Sequence, residues 1–232
     1  MDFFVLDSTR HEEIKEKVIV DNKIKLYKSS FFKDYDLQDI QAFAVQNSLY
    51  QIPTSELIEF LKQWIVPGKT IEIGSGKGVI GKCLRIPCTD SHMQAEPHIK
   101  MFYNMFKQKP IVYPCHVEKL GALAAIEKYK PEVVIGSWIT SPMDIDGNEG
   151  NSLGPDEEEI LKKVDTYILI GNEKVHGRKI IRKYSHREYT ADWLITRGRS
   201  QNLNRIYIWS KNFKELDLDY FKVSYQETSI SK

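Results

Sequence analysis

The sequence has few cysteines, and their arrangement excludes two kinds of protein. Cys83, Cys88 and Cys115 are three in number, so they cannot all pair with one another. Their spacing also fits no zinc motif. We therefore expect reduced, mostly buried thiols in a cytoplasmic protein that holds no metal.

A charge excess and long apolar runs are also absent. The 33 basic and 32 acidic residues leave a net charge of +1, which gives no indication of a nucleic-acid or membrane partner. No stretch approaches the roughly 18 apolar residues of a spanning helix, so we expect no membrane partner. The short acidic segment from Met1 to Asp7 lacks the features of a secretory signal. With 232 residues, 41% of them hydrophobic, the chain is long enough for one core and a small extension.

What the sequence does contain is a β-branched run followed by closely spaced glycines. Thr70 to Ile73 has the pattern of a strand, Gly74, Gly76 and Gly78 follow, and 79–84 has apolar residues at helical spacing. A strand, a glycine turn and a helix start form the site at which open α/β sheets bind nucleotide-like ligands. Glycine is needed there because the backbone takes positive φ or approaches a ligand closely.

Two common ligands fit this turn incompletely. Gly76, Gly78 and Gly81 match a dinucleotide fingerprint, but Glu72 interrupts a strand that is normally apolar throughout. A nucleoside triphosphate loop would need Ser or Thr where this chain has Cys83, and sulfur is a poor ligand for Mg²⁺. A nicotinamide-dependent oxidoreductase stays an alternative function.

The stretch Glu72-Ile-Gly74-Ser-Gly76-Lys-Gly78 resembles the first motif of the class I (Rossmann-like) S-adenosylmethionine-dependent methyltransferases, acid-x-Gly-x-Gly-x-Gly, at each fixed position. The resemblance implies an enzyme that uses S-adenosyl-L-methionine to methylate an acceptor, with a small molecule favoured. A carboxylate at the strand end suits a ligand that carries an ammonium and a sulfonium. The implied fold is α/β, with a doubly wound, mostly parallel seven-stranded sheet and a C-terminal antiparallel hairpin.

Residues 1–50 are predicted to form an N-terminal cap and residues 51–232 the methyltransferase-like domain. Within the cap, the alternating pattern of 18–27 predicts a hairpin that turns at Asp21. Thr54 is predicted to cap the next helix, and Tyr50, Gln51 and Thr54 are candidates to cover the cofactor. Residues 110–114 are expected to form the third strand of the main sheet, and 193–197 and 205–209 its antiparallel pair.

The resemblance also assigns site residues along the chain. Asp90, at the end of the predicted second strand, would accept hydrogen bonds from the ribose hydroxyls. Val117 would donate its backbone N–H to adenine, and Trp138 would line the methionine end. The predicted cofactor-binding residues are Glu72, Gly74, Ser75, Gly76, Gly78, Asp90, Ser91, Val117, Gly136, Ser137 and Trp138.

Several points of function stay open at this level. No catalytic base is identified, although His176 and Asp144 are candidates. The basic stretch 174–205, with interleaved aromatic residues, is compatible with a nucleic-acid partner or with a solvated helix face. A non-catalytic methyltransferase-like binding module and a methyltransferase that acts on RNA or protein are the alternative functions. The oligomeric state is not determined.

Overall fold

A computed structural model of the protein describes residues 8, 10–21, 23–140 and 154–228. In this part of the chain, short strands alternate with short helices. The strands are β1 (Ile19–Val20), β2 (Lys23–Ile24), β3 (Thr70–Ile73), β4 (Cys88–Asp90), β5 (Val117–Lys119), β6 (Val133–Ser137), β7 (Thr166–Asn172), β8 (His186–Thr190), β9 (Asn204–Ser210) and β10 (Ser224–Thr228). The α-helices are α1 (His11–Val18), α2 (Leu37–Gln46), α3 (Ser55–Lys62), α4 (Val79–Leu84), α5 (Pro97–Met105), α6 (Ala122–Tyr129), α7 (Glu157–Lys163), α8 (Glu173–His176) and α9 (Leu218–Phe221).

The main sheet has eight strands in the order β10-β8-β9-β7-β6-β3-β4-β5. Strands β5, β4, β3, β6 and β7 are parallel to one another, whereas β9, β8 and β10 add an antiparallel end next to β7. The fold is therefore mixed α/β with a large, mostly parallel sheet and a C-terminal antiparallel hairpin. Within the described residues the sheet has eight strands, one more than the expected seven, because β10 pairs with β8 at the edge.

Both faces of the sheet are covered by helices. On β6, Val133 and Ile135 point to the face that α3 and α4 cover, and Val134 points to the face of α6 and α7. Every residue of β7 is buried. Strands with two covered faces become apolar throughout, which is why these segments lack a simple alternation of polar and apolar residues.

Two predicted strands are placed differently. Residues 110–114 do not form a strand, and the third parallel strand is β5, where Val117 pairs with Cys88 of β4. Pro110 and Pro114 lack the N–H groups that a sheet ladder needs. The partner of β9 is β8 rather than 193–197.

The segment 193–197 packs instead against the chain just before α3. Ile52 N–H donates to Ile195 O at 3.0 Å, and Thr54 Oγ1 donates to Trp193 O at 3.1 Å. Thr54 also accepts from Leu57 N–H at 3.2 Å, which confirms its predicted role as the N-cap of α3. The segment 193–197 therefore forms an isolated antiparallel bridge with the chain before α3, between Gln51 and Thr196, and does not pair with β9.

The N-terminal region forms a cluster of its own. The strands β1 and β2 pair as the predicted hairpin. Ile14 and Phe43, from α1 and α2, pack in a core that also contains Ile52 and Ile195. Within the described ranges, no helix combines the length and apolar character needed to cross a bilayer.

Candidate functional site

A cavity of about 900 Å³ opens at the carboxyl ends of the parallel strands. It lies between the neighbouring strands β3 and β6. From β3 the chain continues to β4 on one side, and from β6 it continues to β7 on the other side, so the strand order reverses at this point. Such a switch point is where open α/β sheets bind their ligands. Its wall includes Tyr50, Gln51, Glu72, Gly74, Ser75, Gly76, Lys77, Asp90, Ser91, Gln94, Tyr103, Tyr113, Ser137 and Trp138.

The glycine turn after β3 has the backbone conformation that its sequence predicts. Gly74, Gly76 and Gly78 have φ of +53°, +56° and +61°. A Cβ built on Gly76 would lie 3.2 Å from Ile111 Cδ1, and one on Gly74 would lie 2.4 Å from Ile139 Cδ1. The turn therefore needs glycine for its conformation and brings bare backbone to the cavity.

Asp90, the last residue of β4, is buried beside this turn. Its Oδ2 accepts from Gly76 N–H at 2.9 Å, and its Oδ1 accepts from His92 N–H at 2.8 Å. Each carboxylate oxygen has a further lone pair. The two backbone donors thus fix the carboxylate at the cavity and leave it able to accept from a ligand.

Glu72 was expected to present an ionised carboxylate to a cationic ligand, but its side chain has a different orientation. Its side chain runs under α4, where Oε2 accepts from Gly81 N–H at 2.8 Å, and the residue is 1% exposed. Burial raises its pKa to about 8, against the opposing effect of the Gly81 hydrogen bond. At neutral pH this carboxyl is therefore mostly protonated, and it borders the cavity without supplying a negative charge.

The end of β6 presents an aromatic group in a strained backbone conformation. Trp138 has φ of +56°, which is uncommon for a bulky residue. Its ring lies 6.0 Å from that of Tyr50 and 5.4 Å from that of His176, measured between centroids. The guanidinium of Arg197 stacks 3.5 Å above the Tyr50 ring centroid and lies 5.8 Å from that of Trp138. Strain of this kind is concentrated at functional sites.

Four buried polar atoms of the cavity wall have no hydrogen-bond partner among the described residues. They are Gln51 Oε1, Ser75 Oγ, Ser137 Oγ and Trp138 Nε1. A buried polar group without a partner is costly, so native structures rarely keep several together without a ligand or water. Residues of the cavity wall therefore carry donors and acceptors that no hydrogen bond within the described residues uses.

The structure brings eight of the eleven predicted cofactor residues to the cavity wall. Gly78, Val117 and Gly136 are elsewhere. Val117 N–H donates to Pro114 O at 3.0 Å, which takes the donor that adenine recognition would need. A Cβ on Gly78 would contact Val117 and His116, and one on Gly136 would contact Ile139. These two glycines are thus required by packing.

Of the two candidate bases, His176 is the one within the described residues, and it is not part of the cavity wall. His176 is buried behind Trp138, and its Nδ1 accepts from Asn172 N–H at 3.0 Å. Burial, together with the charge of Lys179, lowers its pKa to about 3, so it is neutral and shielded from solvent. Asp144 lies outside the described residues.

Tyr103 was not predicted as part of the site, but it is hydrogen-bonded to Tyr50, which was a candidate to cover the cofactor. Tyr50 OH and Tyr103 OH are 2.7 Å apart, and Gln94 Nε2 donates to Tyr50 OH at 2.9 Å. Gln94 Oε1 in turn accepts from Ile111 N–H at 2.9 Å. The sequence pattern indicates only a core position for Tyr103, because helical spacing does not show which element lies opposite.

Much of the basic stretch 174–205 is paired within the fold. Lys179 forms a buried ion pair with Glu157, and Lys183 pairs with Glu158. Arg182 bridges Glu173 and Glu188 at 2.7 and 2.6 Å. These cations neutralise nearby carboxylates, so they do not form an uninterrupted basic surface for nucleic acid.

The comparisons with known proteins add no assignment to this geometry. Neither the family models nor the curated proteins that were searched include a match to the chain. Across the described residues, no group of three or more His, Cys, Asp or Glu side chains is arranged to hold a metal ion.

Proposed function

We propose that this protein is an S-adenosyl-L-methionine-dependent methyltransferase of the class I type. The observation that carries the proposal is the cavity at the switch point, where a glycine turn, a fixed carboxylate and four polar atoms without partners meet. A glycine turn that binds no ligand does not require such a set of donors and acceptors. A ligand with a ribose and an amino-acid end accounts for them together.

The strand order supports a doubly wound sheet with a seven-stranded pattern. Numbered from β3, the parallel part of the sheet has the order 3-2-1-4-5, which is the doubly wound arrangement. The antiparallel strands β9 and β8 complete a seven-stranded pattern, to which β10 is an addition at the edge. In this arrangement the cofactor site is the crevice at the carboxyl ends.

The residues present fit the two polar ends of the cofactor. Asp90 would accept from the ribose hydroxyls, as a carboxylate does well. At the other end, the unpaired Gln51 Oε1 would accept from the ammonium, and Trp138 Nε1 would donate to the carboxylate. Arg197, held on Tyr50 by a cation–π contact, would add the positive charge that the carboxylate needs.

When bound, the cofactor would supply a methyl group on a positively charged sulfur. The acceptor nucleophile would bond in line to the methyl carbon as the carbon–sulfur bond breaks, with S-adenosylhomocysteine as the leaving group. The chain contributes by positioning both molecules and by keeping water away from them. The aromatic residues Tyr50, Tyr103, Tyr113 and Trp138 form a wall suited to an apolar or planar acceptor. A cavity of about 900 Å³ favours a small molecule over a polymer as that acceptor.

Calorimetric titration of the full chain with S-adenosylmethionine tests binding. We expect one site per chain and competition by S-adenosylhomocysteine. Reduced nicotinamide cofactor is the comparison ligand, and a fluorescence change on its addition, without heat from S-adenosylmethionine, would favour the oxidoreductase alternative. A chain that binds neither ligand would contradict the proposal.

A second candidate is a methyltransferase-like module that binds the cofactor without catalysis. It is favoured by the seclusion of His176, which leaves the candidate base buried and neutral. Transfer of a radiolabelled methyl group to pooled small molecules, RNA and protein separates the two candidates. Cofactor binding with no transfer to any pool would support the module.

A further inference from the structure

One side of α5 carries large apolar side chains in solvent. Met101 and Met105 are 64% and 70% exposed, and they lie on one face because residues four apart are neighbours on a helix. We call this pair the α5 stripe. Val112, further along the same segment, is 78% exposed. Exposed apolar groups of this size mark a surface that interacts with something else.

The segment around the α5 stripe is also positively charged. No acidic residue occurs between Glu96 and Glu118, whereas Lys100, Lys107 and Lys109 lie there and are exposed. Glu12 interacts with Lys109 through space, but its carboxylate is already bonded to Lys15 at 2.6 Å. The apolar stripe is therefore accompanied by lysines whose charge no acid of the same segment balances.

We propose that the α5 stripe docks this protein on an anionic lipid surface. A helix that lies in the headgroup region places apolar side chains against the acyl chains and lysines among the anionic headgroups. Docking of this kind needs no spanning helix. The expectation of no membrane partner was based on the absence of a spanning helix, so it does not apply to a peripheral contact. The proposed docking is such a contact, made by one short helix.

Two other occupants of the stripe fit the charges and shape less well. A second copy of this chain, in a symmetric contact, would bring the lysines of both copies close together. A helical peptide normally binds in a groove, whereas Met101 and Met105 project outward with most of their surface in water. An anionic lipid surface satisfies both the apolar stripe and the lysines.

The position of α5 links this surface to the cavity. His98, Ile99, Phe102 and Tyr103 of the same helix belong to the cavity wall. Docking therefore holds the helix that carries part of that wall at the headgroups. The acceptor class, which rests on the proposed function, is then an amphiphile presented by the lipid surface.

Vesicle sedimentation of the full chain tests the docking without any cofactor. We expect binding to phosphatidylcholine vesicles that contain phosphatidylglycerol, weaker binding to pure phosphatidylcholine, and a decrease with salt. The double variant Met101→Glu with Met105→Glu is expected to bind roughly tenfold less or weaker still, since it removes two apolar side chains. Val175→Glu, on α8 and 59% exposed, is the matched control and should bind like the unmodified protein.

Three results would overturn the docking proposal. The first is that the unmodified protein does not bind anionic vesicles. The second is that the Val175→Glu control loses as much vesicle binding as the double variant. The third is that the protein forms a dimer in solution, which only the double variant disrupts, and does not bind vesicles. Calorimetry with S-adenosylmethionine on the same proteins separates this proposal from the preceding one. Vesicle binding without cofactor binding would contradict the proposed function and leave the docking surface supported.

Discussion

The backbone N–H of Gly76 donates to Oδ2 of Asp90 at 2.9 Å, and this bond joins the glycine turn after β3 to the end of β4. The two residues are thereby held together at the cavity, 14 positions apart in the chain. The turn presents bare backbone, and the carboxylate presents acceptors. The first two predictions concern these two residues.

Replacing Asp90 by Asn should weaken binding of S-adenosylmethionine. Asn keeps an acceptor for one backbone N–H but loses the charge and one acceptor, a change worth about 1–3 kcal/mol for a buried hydrogen-bonding group, or roughly ten- to a hundredfold in Kd. Calorimetric titration measures the effect. Asp217→Asn is the control, since Asp217 caps α9 by accepting from Tyr220 N–H at 2.9 Å outside the cavity wall. Equal affinities of both variants and the unmodified protein would contradict a ribose-binding role for Asp90.

Replacing Gly76 by Ala should reduce cofactor binding beyond its effect on stability. The positive φ of +56° makes Ala cost about 1–2 kcal/mol of folding free energy, and the added methyl group would also meet Ile111 at the cavity wall. Gly68→Ala is the matched control because Gly68 has φ of +71° with nothing within 4 Å of an added Cβ.

Urea unfolding and titration with S-adenosylmethionine measure the two effects separately. We expect both glycine variants to lose stability by similar amounts, and only Gly76→Ala to lose affinity, by roughly tenfold or more, equivalent to about 1.4 kcal/mol. Equal affinity in the two variants would show that the turn does not approach the ligand.

Glu72 should make the stability of the protein depend on pH. Its folded pKa of about 8 lies above the ordinary value of 4.5. Between these values the folded carboxyl stays protonated while the unfolded one is ionised, so unfolding releases a proton and the free energy of unfolding falls as pH rises. Below about 4.5 both states are protonated, and above about 8 both are ionised, so this contribution is constant outside the window.

Glu72→Gln removes this pH dependence while keeping an acceptor for Gly81 N–H. Urea unfolding of both proteins at pH 5, 6, 7 and 8 measures the difference. We expect the stability of the variant, relative to the unmodified protein, to rise with pH by up to about 1.4 kcal/mol per pH unit. Parallel curves across the range would show that the Glu72 carboxyl is already ionised in the folded protein.

Lys179 and Glu157 form a buried ion pair, with side chains 1% and 2% exposed. Glu157 also accepts from Tyr167 OH at 2.8 Å. Lys179→Met would leave the Glu157 carboxylate buried without its cation, which typically costs about 3–5 kcal/mol. Adding Glu157→Gln should recover much of this loss, because the neutral amide still accepts from Tyr167. A double-mutant cycle in urea checks the coupling, and purely additive losses would contradict it.

Local features of the fold could be predicted from the sequence because they depend on neighbouring residues. The positive φ of Gly74, Gly76 and Gly78 follows from glycine itself, and Thr54 caps α3 through a backbone donor three residues away. Cys88–Asp90 likewise forms a strand that ends at the predicted acid. For the same reason the central strands and most helices lie close to where periodicity places them.

The sequence alone determined the glycine turn and the acid at the end of the next strand, since each is specified by a few adjacent residues. Only the tertiary structure decided that Glu72 lies under α4 and that Arg197 stacks on Tyr50. The direction of a strand side chain depends on the helix packed against it, and contacts between distant segments depend on how whole elements pack. Such contacts leave no periodic signal in the sequence. The side chains that line the cavity together can therefore be identified only in the folded chain.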